Sequence, residues 1–324
     1  MQEIIIDGGK YRIVDAREYM TIPDCFVLKN KIGKGHGEAK FYVGNENEET
    51  MTFFDDFDRK CIFVKSDFIK YLDDAKYEYQ NPEQDYKNRQ ELGVNWEEYM
   101  KEVNLLPSEV IEFSIFRSEI TPPRVYINSD DEIYSLLRKI ALPQISYLSA
   151  LKLQDERGNF LYYFKPFIDY HYFGDDEHPS LIEEEVNEIN KNEEINTEVK
   201  VEIKKARIGQ GEYRKNLLQE CPVCLITGVT DERLLIASHI KPWAHSNNIE
   251  RIDPRNGLIF TPTYDALFDK GFISFNDDGS ILISPWISPM NQNRLRLSPR
   301  IKCDFNIDGR EIYLEYHRKN IFKG

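Results

Sequence analysis

The chain has 324 residues, 41% of them hydrophobic and 13% aromatic, enough for two ordinary domains with their own cores and too apolar for wholesale disorder. No run approaches the roughly 18 apolar residues of a membrane span, and the opening MQEIIIDGGK lacks the regions of a secretory signal, so a cytoplasmic protein with no membrane partner is expected. The net charge of -14 argues against broad phosphate contact only until it is divided: residues 204–324 carry 18 Lys and Arg against 14 Asp and Glu, and residues 1–203 carry 24 against 42.

In chain order, EIIIDGGKYRIVD predicts a hairpin, two β-branched runs around Asp7-Gly8-Gly9. Phe26–Leu28, Lys40–Val43 and Cys61–Val64 read as strands, and the Gly33–Gly37 loop lacks the spacing and terminal Lys-Ser/Thr of a phosphate-binding loop. Ser66-Asp67 are expected to cap a helix running to about Tyr79, with further helical character around Trp96. Ser129–Glu132 open another helix, with Ile133, Leu136, Leu137 and Ile140 at helical spacing and Pro143 as its stop. Residues 145–153 and 160–168 form a hairpin around Asp155–Asn159. Residues 1–173 thus read as a mixed α+β domain; they carry no motif that converts into chemistry, and a target-recognition or regulatory module is the role expected of them. Ten acidic residues and one lysine between Asp175 and Glu198 mark residues 174–203 as an acidic linker. Residues 204–324 form the third section, beginning with basic residues and a helix from about Gly211 that includes Arg214, a candidate for phosphate contact or a plain soluble face.

The chemistry concentrates between Cys221 and Ser284. An apolar run, Leu234–Ala237, delivers Ser238-His239 at its end, a polar loop follows, and then come Asn256-Gly257-Leu258-Ile259-Phe260 and the turn TYDALFD. Hydrolysis of a phosphodiester needs an activated water, a cation at the phosphate and help for the leaving oxygen. His239 is placed to take the water's proton. Asp265 and Asp269, four apart, share a helix face and offer oxygens suited to one Mg²⁺ or Mn²⁺, or Asp265 merely caps the helix and Asp269 is solvated. Asn256 either orients His239 by hydrogen bond or shapes the turn before Gly257. Lys241, Arg251 and Arg255 lie in or near the loop as candidate phosphate contacts. Beyond Ser284, Arg294, Arg296, Arg300 and Lys302 alternate with Leu295 and Leu297, and Asp308-Gly309 reads as the turn of a closing strand pair.

ASHIKPW, ERIDPRNGL and DALFDKGFISF in this order, preceded by a YRKNLL helix and a cysteine-containing turn ending Thr227-Gly228, resemble the HNH endonucleases of ββα-metal fold, most nearly the restriction-type branch. The resemblance implies an α+β protein with a C-terminal ββα-metal nuclease domain, His239 as general base, Asn256 as middle asparagine and Asp265 in the place of the third, metal-binding histidine. It implies double-stranded DNA as substrate and restriction or anti-phage defence as the setting. Many relatives carry an acidic metal ligand just before the base, where this chain has Ser238. Either Ser238 holds the ion weakly or through water, or Asp269 substitutes.

Five cysteines, an odd number, suit a reduced compartment. Cys221 and Cys224 form one pair where zinc-bearing relatives have two, so structural zinc is not expected; only Cys303 and His317 are candidates to complete such a site. A homodimer is expected if both strands are cut with one site per chain. The rival reading is a decayed HNH protein that binds DNA or regulates without cutting, for which Ser238 is the support. A third makes the acidic N-terminal part a restraint on the nuclease.

Overall fold

The computed structural model describes residues 2–21, 40–55, 57, 59–82, 92–117, 124–142, 145–168, 200 and 211–324. The expected Phe26–Leu28 strand, the Gly33–Gly37 loop, Pro143, the acidic linker apart from residue 200, and the basic run 204–207 lie outside these residues. The chain divides into two compact units, Met1–Asp175 and Asp176–Gly324. It is a mixed α+β protein.

In the first unit, β1 (Glu3–Ile6) and β2 (Gly9–Thr21) form the expected hairpin. Its turn needs positive φ at two successive residues, supplied by Asp7 at 47° and Gly8 at 76°. β3 (Phe41–Asn45) follows, then a helix that periodicity did not reveal, α1 (Glu48–Phe54), whose cap Asn47 accepts from Thr50 N–H. β4 (Lys60–Val64) runs directly into α2 (Lys65–Gln80), and α3 (Leu92–Asn104) comes next. After β5 (Val110–Ser114), β6 (Phe116–Arg117) and β7 (Arg124–Asn128) comes α4 (Glu132–Ile140), which buries the four apolar residues expected of it. β8 (Ser146–Gln154) and β9 (Phe160–Ile168) close the unit as a hairpin. A six-stranded sheet, ordered β1-β2-β8-β9-β4-β5, is antiparallel except where β4 meets β9, and β3-β7-β6 form a second sheet.

The start of α2 corrects the expectation that Ser66 and Asp67 cap it. The cap position is Val64, with no side-chain bond, because the sheet feeds straight into the helix. Asp67 is instead a buried tertiary partner, accepting from the Tyr163 hydroxyl and pairing with Lys165 at 2.8 Å on β9.

From residue 211 on, the second unit has α5 (Glu212–Glu220) and a short 3-10 turn, Glu232–Leu234. Next come β10 (Ile236–His239), a loop containing the turns Trp243–His245 and Pro254–Asn256, then β11 (Gly257–Phe260) and α6 (Pro262–Asp269). β10 and β11 pair antiparallel, with Ser238 opposite Leu258 and His239 opposite Gly257. β12 (Ile273–Phe275) pairs with β13 (Ile281–Ile283), and α7 (Pro289–Arg294) and α8 (Glu311–Asn320) complete the chain.

The closing strand pair expected around Asp308-Gly309 is not formed. The turn admits α8 instead, because Tyr313, Leu314 and His317 recur at helical spacing and bury one face. Nor do Leu295 and Leu297 alternate along a strand; they follow α7, with Arg296 between them at a φ of 54°. Among the described residues, no helix is long and apolar enough to cross a membrane.

Candidate active site

Two strands, a helix and the loop between the strands build the site. Tyr264 and Phe268, four residues apart on α6, bury one face of that helix. Phe268 packs on Phe260 and Phe275 and stacks on His317 with ring centroids 3.9 Å apart. Asp265 and Asp269, each one residue further along, therefore share the neighbouring face. Ser238 is buried at 4% exposure, and its hydroxyl donates to Oδ1 of Asp269 at 3.1 Å. Strand and helix thus present a hydroxyl and carboxylates on one side of the unit.

His239 is half-buried at the end of β10. Its Nε2 lies 3.0 Å from the carbonyl oxygen of Arg251. A carbonyl can only accept, so Nε2 is the donor, and in the neutral form of the ring Nδ1 is then the basic nitrogen. Tyr213 of α5 stacks flat on the imidazole, with centroids 4.4 Å apart and planes 3° from parallel, and Trp243 meets it edge-on at 5.6 Å. The Tyr213 hydroxyl donates to the carbonyl of Asn256 at 3.1 Å and lies 3.3 Å from that of Ser238. Burial pushes this phenol well above its usual range; Arg310 opposes the shift, while Asp269, Asp253 and Asp265 add to it. The phenol therefore senses both α6 carboxylates while its ring covers His239.

Asn256 is fully buried. Its Oδ1 accepts from Lys241 N–H at 2.8 Å, and Nδ2 faces the carbonyls of Lys241 and Glu250 and the Ser246 hydroxyl at 3.1–3.3 Å. The amide thus ties the two sides of the loop together, and through the loop it places the Arg251 carbonyl on His239. Of the two roles expected for Asn256, shaping the chain is the one its contacts describe. Gly257 follows because a methyl group there would run into the Tyr213 hydroxyl and the Leu217 side chain.

The four candidate phosphate contacts all have partners within the unit. Lys241 pairs with Glu250 at 2.7 Å and sits over the Tyr316 ring. Burial alone would raise the Glu250 carboxyl, but the Lys241 ammonium and the Asn247 N–H outweigh it and hold the group below its usual range. Arg251 is 9% exposed, lies over Trp243 and donates to the Trp243 carbonyl, so it serves as a loop brace. Arg214 donates to the carbonyls of Leu235 and Glu232. Arg255 pairs with Asp253 but keeps 61% of its side chain exposed. Arg294, Arg296 and Arg300 are exposed. The Tyr264 hydroxyl donates to the Leu295 carbonyl at 2.9 Å, which sets the start of this basic run beside α6.

The cysteine turn is folded without His317. That imidazole is 1% exposed, with Nδ1 at the Ser274 hydroxyl and Nε2 at the Phe268 carbonyl. Sγ of Cys224 accepts from the N–H groups of Thr227 and Thr261. Burial raises the Cys224 thiol, but these bonds outweigh it and lower it overall. Cys303 is close enough to both thiols for its own to be raised, chiefly by burial, to about 12. Among the described residues, no three His, Cys, Asp or Glu side chains are grouped to hold a metal ion. The two α6 carboxylates and the Ser238 hydroxyl offer oxygens, the donor type that a hard cation takes.

Residues 224–276, spanning β10 to β12, match the family model described as HNH endonuclease. The chain carries an HNH endonuclease domain. A comparison with curated proteins finds no match to the chain. The HNH domain lies in the C-terminal unit and contains Ser238, His239, Asn256, Asp265 and Asp269, of which Ser238 and Asp269 are in direct contact. Sequence reading passed over Tyr213, Trp243 and Arg310. The spacing of Tyr213 and Leu217 on one helix face was the available signal for the first; the others are set by contacts distant in sequence.

Proposed function

We propose that the C-terminal unit is a divalent-metal-dependent DNA endonuclease that hydrolyses phosphodiester bonds in double-stranded DNA. The observation that carries this reading is the 3.0 Å contact between Nε2 of His239 and the Arg251 carbonyl. With Nε2–H held by the Arg251 carbonyl, Nδ1 is the basic nitrogen and takes the proton of the attacking water. Asn256 keeps the loop, and so that carbonyl, in place. Asp265 and Asp269, with Ser238, would hold one Mg²⁺ or Mn²⁺, which supplies positive charge at the scissile phosphate and its leaving oxygen. Arg255 and the exposed arginines 294, 296 and 300 are the side chains best able to reach phosphates; Lys241, Arg251 and Arg214 would do so only by leaving internal partners.

Residues 1–173 are a target-recognition or regulatory module, and residues 174–203 an acidic connection to the nuclease. Restriction or another defence against foreign DNA is the setting the family resemblance suggests. One site per chain favours two copies for a double-strand break.

The test is cleavage of plasmid, phage and modified DNA by the full-length protein with Mg²⁺ or Mn²⁺. His239→Ala is expected to abolish cutting and leave DNA binding nearly unchanged. A wild-type protein that cuts none of these substrates, or an alanine variant that still cuts, overturns the reading. Ser238 favours one other reading, a decayed nuclease that binds DNA without cutting it. In that case Mn²⁺ titration shows no binding that depends on Asp265.

A further inference from the structure

The resting geometry of His239 depends on a residue outside the segment that matches the HNH family. We propose that Tyr213 is a positioning residue for the catalytic imidazole: its ring is a flat wall that keeps His239 in the one orientation where Nε2 meets the Arg251 carbonyl. The inference rests on His239 being the base.

Three contacts bear on the orientation. Tyr213 covers one face of the imidazole, Trp243 meets it edge-on, and the Arg251 carbonyl holds Nε2. Rotation of the imidazole about its terminal side-chain torsion would drive its edge into the Tyr213 face, and that torsion is otherwise broad and roughly two-fold. A ring flip would exchange Nδ1 with Cδ2 and Nε2 with Cε1, taking Nε2 off the Arg251 carbonyl and putting a carbon where the basic nitrogen is needed. The wall is itself fixed. Tyr213 is 3% exposed, and its hydroxyl ties to the carbonyls of Ser238, in β10, and Asn256, just before β11. Gly257 leaves room for that approach, so the Asn-Gly pair serves the loop with its first residue and the wall with its second. Tyr213 needs to touch neither water nor phosphate, because it acts through His239.

The experiment uses the full-length protein and two substitutions. Tyr213→Phe keeps the flat ring and loses the tether, whereas Tyr213→Met keeps most of the volume and loses the flat face. Expected for Tyr213→Phe is a kcat within about threefold of wild type, and for Tyr213→Met a fall of about 10- to 100-fold, the scale of a small misplacement, with KM within about twofold. Nitrogen-15 spectra of His239 are expected to show the Nε2–H tautomer in wild type and Tyr213→Phe, and a mixture in Tyr213→Met. A folded Tyr213→Met protein that retains kcat and a single tautomer overturns the proposal. Should that variant not fold, the wild-type spectrum decides. A stacked Tyr213 shifts the carbon-bound protons of His239 upfield, and unshifted protons overturn the proposal. His239→Ala separates the two levels: if it still cuts, the base assignment fails, while the tautomer and ring-current spectra continue to judge the wall.

Discussion

The hydroxyl of Ser238 donates to Oδ1 of Asp269 across 3.1 Å, joining the residue before the imidazole to the last residue of α6. The position where relatives carry an acid and the second α6 carboxylate therefore occupy the same corner of the domain. A carboxylate brings charge to a hard cation and a hydroxyl only a dipole. Asp265→Asn and Asp269→Asn are accordingly expected to weaken Mn²⁺ binding by about 10- to 100-fold each, and Ser238→Ala by less than about tenfold, by analogy with the loss of groups around metal sites. Calorimetric titration of Mn²⁺ checks this, and a Ser238→Ala loss larger than the Asp269→Asn loss contradicts it.

Asn256 is the joint of the loop. Removing its amide leaves the Lys241 N–H and two carbonyls to find new partners in a buried place. Asn256→Ala is expected to cost about 2–4 kcal/mol in urea unfolding of the second unit, the range for breaking a buried polar network. Cleavage should fall with it, even at temperatures where the variant is folded, because the Arg251 carbonyl is no longer fixed. Wild-type stability in this variant would show that the loop holds itself.

His317 predicts a dependence on pH that has nothing to do with catalysis. Burial lowers its pKa from 6.5 to about 4, helped by Arg318 and opposed by its bond to the Phe268 carbonyl. The folded state thus binds fewer protons than the unfolded state between those values. Its contribution is fully present above about pH 6.5 and is lost as pH falls toward 4, amounting to about 3 kcal/mol across the window. His317→Gln should be less stable at pH 7.5 and should flatten the fall in stability between pH 6.5 and 4. Denaturant unfolding at several pH values checks both points; an unchanged slope in the variant assigns the acid sensitivity elsewhere.

Much of the site was legible in the sequence because its residues lie on short elements whose order is fixed by β10, the loop, β11 and α6. His239 at a strand end and two aspartates four apart need only periodicity to be seen. The surroundings of His239 were not legible, since Tyr213 and Trp243 reach it through packing and a carbonyl has no residue identity at all. The same reason explains the misread C-terminus. Asp308-Gly309 is good hairpin chemistry, but Tyr313, Leu314 and His317 bury together only on a helix, and tertiary packing overrides the turn signal. Asp67 shows the reverse error, a good capping residue claimed by a lysine and a tyrosine from a strand far along the chain. Charge gave least away, because most candidate phosphate contacts carry internal partners that composition does not reveal.

Arg310 is 2% exposed and clasps Glu220 of α5 with two hydrogen bonds, while also donating to the carbonyls of Gly257, Pro254 and Asn306. Just past α8, the Lys323 N–H donates to the Gly271 carbonyl at 2.9 Å, and the Lys323 carbonyl accepts from the Ser284 hydroxyl. The matched segment, residues 224–276, is therefore bolted on both flanks to chain outside the match. A fragment cut at the borders of the match would leave Glu220 and Arg310 behind together with the Lys323 backbone, and with them the contacts that hold Pro254, Gly257 and Gly271 in place.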